Sequence, residues 1–159
     1  MNALELTKFE DEDIELLENW LRQEYILKWY HEPEEWLREA QERHDEFCWI
    51  THFIVLKEGE PIGFCQYYPY EKSGETWNGD VPACGTYSID YLIGEQDCLG
   101  KGLGKQIVKL LVNEIFSRKD AKRIIAQPEP ENAASCYTLL SSGFAYDERN
   151  GLYLLSVYK

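Results

Sequence analysis

The spacing of apolar side chains along this chain switches between a period of two and a period of 3.6, and the switches divide it into strands and helices. Residues 4–9, LELTKF, read as a short first strand. The acidic residues 11–13 then open a helix on which Ile14, Leu17, Trp20 and Leu21 recur at helical spacing. A second helix begins near Pro33, with Trp36, Leu37 and Ala40 on one side and a Glu- and Arg-rich opposite face that reads as solvated. Between residues 49 and 70 the period shortens, and HFIVLKEGEPIGFCQYYPY predicts strand, tight turn at Glu58 and Gly59, strand. GTYSIDYLIG, residues 85–94, is a further strand. The intervening KSGETWNGDVPA is a turn-rich loop, long enough and, at Trp77, aromatic enough to be functional.

From Gly102 the helical period returns, with Leu103, Ile107, Leu110, Leu111 and Ile115 forming an apolar stripe that ends at Phe116. RIIAQ, residues 123–127, reads as a short buried strand, NAASCYTLLSSGF as a helix stopped at Gly143, and GLYLLSVYK as a last strand. Strand–helix–strand units in the second half predict parallel pairing with right-handed crossovers. The expected architecture is α/β (α+β mixed): one domain over residues 1–159 around a mixed sheet, without internal repeats.

Composition narrows the partners. The chain carries 16 basic against 29 acidic residues, a net charge of −13. Nucleic acid is disfavoured, because phosphate binding needs a basic face. A cationic small molecule or peptide is compatible, through electrostatic steering. No apolar run approaches the ~20 residues of a membrane span, and the acidic N-terminal stretch does not resemble a targeting peptide, so the expectation is a cytoplasmic protein, monomer or homodimer. Five scattered cysteines without a CxxC pair predict reduced, mostly buried thiols, and three scattered histidines give a metal site little support.

One stretch carries candidate chemistry. In DCLGKGLGKQ, residues 97–106, three alternate glycines stand between the strand ending at Gly94 and a long helix. Strand, glycine loop and helix N-terminus together offer free amides, a favourable dipole end and no Cβ in the way of a phosphate. Lys101 and Lys105 add positive charge. A Walker loop would end in Lys-Ser/Thr, where Gln106 stands here, and a dinucleotide fingerprint would read GxGxxG, whereas these glycines give GxGxG.

LGKGLGKQIVKLL followed by PENAASCYTLLSSGF resembles the GNAT superfamily of acyl-CoA-dependent N-acetyltransferases. The order of GEPIGFCQYY, SGETW, SIDYL, LGKGLG and the Asn-to-Gly-Phe helix is similar to that in aminoglycoside 6'-N-acetyltransferases. The resemblance implies a mostly antiparallel sheet with a strand splayed open at the cofactor. It implies that acetyl-CoA binds through Leu99, Gly100, Lys101, Gly102, Leu103, Gly104 and Lys105, with amides near Leu92 and Ile93 on the pantetheine arm. Asn132 and Ser135 open the next helix, as a cap or as cofactor contacts.

Amide formation from a thioester needs a neutral amine, a donor for the oxyanion and a departing thiolate. Asp90, alone in the apolar strand SIDYLI, maps onto the acidic residue that meets the amine in that family. Trp29, Tyr30, Glu75, Trp77 and Asp80 supply carboxylates and aromatic walls suited to a polycationic sugar. Three positions depart from the family pattern: Leu99 replaces a leading Arg or Gln, Gln127 an Asp, and Leu139 the tyrosine that serves many members as general acid. Tyr137, two residues earlier, lies ~200° around the helix and is not given that role. The alternatives are acetylation of a protein N-terminus or other metabolite amine, or a non-catalytic acyl-CoA-binding module.

Overall fold

Glu58 and Gly59, with φ of 52° and 82°, form the two-residue turn whose handedness matches the twist of a hairpin. That turn joins strands Thr51–Lys57 and Glu60–Pro69 in a computed structural model that describes residues 3–157. Numbered along the chain, the strands are β1 (Leu4–Lys8), β2 (Thr51–Lys57), β3 (Glu60–Pro69), β4 (Thr86–Ile93), β5 (Arg123–Ala126), β6 (Ala145–Asp147) and β7 (Leu152–Ser156). The helices are α1 (Ile14–Leu21), α2 (Glu24–Leu27), α3 (Pro33–Gln41), α4 (Tyr70–Ser73), α5 (Leu103–Phe116) and α6 (Ala133–Ser141). The strands form one sheet in the order β1-β2-β3-β4-β5-β7-β6.

Every pairing is antiparallel except β4 with β5. The parallel pairing expected through the second half is therefore confined to one pair. After α6 the chain returns as the hairpin β6–β7, which lays β7 antiparallel on β5. The one-turn α2 and the three-residue β6 are too short to show a period, and the last two residues of the expected final strand lie outside the described residues.

Successive strand residues face opposite sides, so the sheet has two apolar faces. Val55, Cys65, Tyr67, Ile89 and Ile124 pack under α5 through Leu103, Ile107, Leu111 and Ile115. Ile54, Phe64 and Leu92 pack under α1, α2 and α3 through Leu17, Trp20, Leu21, Ile26, Leu37 and Ala40. Burial at ~25 cal/mol per Å² of apolar surface makes these two layers the main source of stability. Of the five thiols only Cys65 and Cys98 are buried, fewer than expected; Cys48 and Cys84 are exposed. Among the described residues no helix is long and apolar enough to cross a membrane.

His52 is 4% exposed between the rings of Phe9 and Phe64, and neither ring nitrogen has a hydrogen-bond partner. Burial, then the Arg43 guanidinium, pushes its pKa down to about 4 from 6.5. Between those values the unfolded chain binds the proton and the folded one does not, so stability falls as pH drops through that window, by roughly 3 kcal/mol in full. Replacing His52 with Leu should flatten the fall of the melting midpoint between pH ~6.5 and ~4. Equal slopes for parent and variant would refute this role.

Candidate active site

β4 pairs with β3 as far as Ile93, but with β5 over only three positions, Thr86 to Ser88. Beyond Ser88 the two parallel strands diverge. The side chains of Tyr30, Tyr25 and Gln23 then donate to the carbonyls of Tyr91, Ile93 and Gly94, the last two at 2.8 and 2.6 Å. The Leu92 carbonyl turns the other way, onto Gly63 of β3. By the alternation of a pleated strand, the amides of Tyr91 and Ile93 face the gap. This amends the expectation of amides near Leu92 and Ile93: Leu92 is 5% exposed and packs with Phe64 and Trp20.

Two hollows meet at the gap. One, about 270 Å³, is walled by Trp29, Tyr30, Trp36, Tyr68 and Trp77 and floored by Ser88 and Asp90 of β4. Glu75, Gln127, Glu129 and Leu139 complete its rim. Cross-strand register explains its polar floor. Gln66 stands opposite Asp90 and Tyr68 opposite Ser88, so four polar residues share one patch of an apolar face. Gln66 Nε2 donates to Asp90 Oδ2 at 3.0 Å, and Tyr68 Oη to Glu75 Oε1 at 2.8 Å. The Trp29–Tyr30 pair reaches the cleft because α2 brings residues 25–30 against the open end of β4. Tyr30 also packs edge-on to Trp36, ring centroids 4.9 Å apart.

Negative charge accumulates in this cleft. Burial, then Glu75, lifts the Asp90 carboxyl to about 6, with the Gln66 hydrogen bond opposing. Glu39, on α3, is lifted to about 7 by burial, then by Asp90, Glu75 and Glu35. Among the described residues no Lys or Arg lines the cleft. Two carboxyls poised near neutrality and two more at the rim, Glu75 and Glu129, without a Lys or Arg among the lining residues, make a receptor for cations and a proton acceptor within one space.

The second hollow is a groove of about 790 Å³ between residues 25–30, the open edge of β4, the glycine loop and α6. Leu99, Gly100, Gly102, Leu103, Gly104 and Lys105 line it. Gly100 and Gly102 both have φ of 73°, and nothing lies within 4 Å of where a Cβ would stand. Their first requirement is thus the left-handed backbone that turns the loop into α5, with Gly102 as its N-cap. The same geometry leaves the amides at the start of α5 uncovered, as an anionic ligand requires. Asn132 Oδ1 accepts from the Ser135 amide at 3.2 Å and so caps α6. Ser135 Oγ shares a hydrogen bond of 3.0 Å with Tyr91 Oη.

Two expected site residues lie elsewhere. Asp80 lines neither hollow; its carboxylate meets Arg149 at 2.6 Å, and its amide donates to Asn150, which fastens the loop to the β6–β7 turn. Lys101 is exposed outside the groove. Gln127 lines the cleft, but its side-chain amide already donates to the Gly151 carbonyl at 3.0 Å. Conversely, the cleft holds Tyr68, Ser88 and Tyr91 at its surface and Gln66 and Glu39 behind it, residues that sequence reasoning missed. For Gln66, Tyr68 and Ser88 the signal was polar residues two apart within the apolar strands CQYY and YSIDY; Glu39 and Tyr91 carried no such signal.

Comparison with known proteins gives this geometry its kin. The family model described as an acetyltransferase (GNAT) domain matches residues 10–150. A relative from Klebsiella pneumoniae, aminoglycoside N(6')-acetyltransferase type 1, is 31% identical over 158 residues, covering 94% of this chain and 76% of the relative. The structure of AAC(6')-Ib in complex with ribostamycin and coenzyme A superposes with a TM-score of 0.83 at 26% identity, over 98% of this chain and 94% of that one. Its complex with coenzyme A and kanamycin gives 0.82 at 26% identity, over 97% and 95%. With the diverging β4–β5 pair, the glycine turn and the match over most of its length, the chain belongs to the GNAT family of acetyl-CoA-dependent N-acetyltransferases.

Proposed function

We propose that this enzyme acetylates the 6'-amine of an aminoglycoside, as a single cytoplasmic domain with the drug in the aromatic cleft and acetyl-CoA in the groove. The observation that carries the reading is the set of Asp90, Glu39 and Glu75 around a cleft that, among the described residues, no Lys or Arg lines. A polyamine sugar supplies the missing positive charges, and tryptophan faces accept its apolar sides. The relatives named for aminoglycoside acetylation support the same acceptor.

Acetyl-CoA supplies the acetyl group as an activated thioester. The amides at the start of α5, with Lys105, hold its diphosphate, and the amides of Tyr91 and Ile93 bind along its arm and polarise the carbonyl. Asp90 orients the ammonium and takes its proton, which frees the nitrogen lone pair for attack. The aromatic walls exclude water and hold the amine against the gap.

The test is a panel of kanamycin, spermine and a short peptide with acetyl-CoA, read by mass and by the position of the acetyl group. The expected product is 6'-N-acetylkanamycin, and acetylated peptide or spermine without acetylated kanamycin would overturn the aminoglycoside reading. Within the panel, Glu75→Gln should raise the acceptor KM several-fold, more at low salt than at high. Asp80→Asn should leave it unchanged, because Arg149 holds that carboxylate outside the cleft.

A further inference from the structure

The departing sulfur needs a proton, and Leu139, the buried α6 side chain at the rim of the cleft, carries none. Five residues line both hollows and so mark where the acetyl group must pass: Trp29, Tyr30, Tyr91, Asn132 and Ser135. Three of them bear hydroxyls. The Tyr30 proton is committed to the Tyr91 carbonyl. That leaves Tyr91 Oη and Ser135 Oγ, hydrogen-bonded to each other at 3.0 Å. The Tyr91 ring lies over the start of α5, with Cε2 at 4.0 Å from where a Cβ on Gly104 would stand, so its hydroxyl is held between the groove wall and α6.

We propose that the Tyr91–Ser135 hydroxyl pair is the proton donor to the departing thiolate, with Tyr91 as the catalytic acid and Ser135 fixing its direction. This rests on the placement of acetyl-CoA in the groove. Asp90 passes the ammonium's first proton to solvent. As the neutral amine nitrogen bonds to the acetyl carbon it yields a second proton to Asp90, while the C–S bond breaks and sulfur leaves with the electron pair. Sulfur takes the Tyr91 hydroxyl proton, and the phenolate recovers one from cleft water, to which Asp90 passes the proton taken from the amine. Tyr91 is equipped to wait in the protonated form: burial above all, with Cys136 and Asp90, pushes it up to about 12 against the opposing Ser135 hydrogen bond. Tyr137, 72% exposed, and Tyr68, bonded to Glu75, are unavailable for the task.

The test compares the parent with Tyr91→Phe and Ser135→Ala in two readouts. The first is steady-state kinetics with kanamycin and, in parallel, spermine. Tyr91→Phe should lower kcat at least tenfold with acetyl-CoA KM little changed, and Ser135→Ala should lower it less. The second needs no turnover: thiolate absorbance of bound coenzyme A, corrected for the protein's own thiols, is titrated against pH. A hydroxyl donating to sulfur should hold the bound thiol's pKa about one unit lower in the parent than in Tyr91→Phe. Unchanged kcat and an unchanged thiol titration would overturn the proposal, as would a loss appearing wholly in acetyl-CoA KM. Spermine turnover without kanamycin turnover counts against the acceptor alone and leaves the Tyr91 ratio readable. Failure of the parent to bind coenzyme A would overturn both.

Discussion

Asp90→Asn is expected to fold, bind acetyl-CoA as tightly as the parent, and lose about 10²–10⁴-fold in kcat. The substitution keeps the shape and the acceptor that Gln66 Nε2 meets, so the β3–β4 floor is preserved. What it removes is a basic site and a negative charge facing the amine. The parent's dependence on pH carries a second signature. Asp90 stands at about 6 and Glu39 at about 7, so kcat/KM should fall on the acid side as the cluster takes up protons between those values. A bound polycation favours the charged carboxylates, so the limb for kcat should lie at lower pH than the limb for kcat/KM. Turnover within twofold of the parent across this range would make Asp90 a structural residue.

Lys105→Asp is expected to move stability and cofactor affinity in opposite directions. Residue 105 is the third of α5, exposed, and on the groove wall. An acidic side chain in a first helical turn interacts favourably with the helix dipole, so the melting midpoint should hold or rise slightly. The same charge faces the place of the diphosphate, and coenzyme A affinity measured calorimetrically should fall at least tenfold, more at low salt. Lys101→Asp, outside the groove, should weaken binding far less. A bulky residue at Gly102 would be a poorer probe, because φ of 73° strains the loop whatever the ligand does. Equal effects at 101 and 105 would move the diphosphate away from the start of α5.

Periodicity finds what buries a continuous stripe. α5 is legible to within a residue at each end because five apolar side chains at helical spacing must all meet the sheet. Asp90, Glu75, Trp29, Tyr30, Trp77 and Gln127, chosen for their chemistry and order along the chain, do line one cleft. Asp80 does not, because a loop's charges are claimed by whatever the fold lays beside them, here Arg149. Glu39 fails in the opposite sense. The face of α3 that carries it reads as solvated, yet that carboxyl is half-buried within reach of the charges of Asp90 and Glu75. Arg43 is a similar case, 8% exposed and paired with Asp11 at 2.6 Å. A helical wheel distinguishes apolar from polar, but not a polar face toward water from one toward a cleft. The glycine loop shows a third limit: the pattern marks a special backbone, while the sign of φ belongs to the folded turn.

The bonds that finish the open edge of β4 come from far away in the chain. Gln23, Tyr25 and Tyr30 reach the carbonyls of Gly94, Ile93 and Tyr91 across 71, 68 and 61 residues, and all three bonds are made by side chains. A backbone ladder forms cooperatively with its neighbours, but these contacts can form only after the intervening sheet has closed a long loop. Folding therefore places the assembly of the cleft late, once the β2–β3–β4 meander exists. From the native side, residues 23–30 can lift away without disturbing a single strand pairing, at the cost of exposing Ile26. Binding energy from an acceptor on Trp29 and Tyr30 then acts directly on that opening equilibrium, and a substrate that grips both aromatics closes the final step of folding around itself.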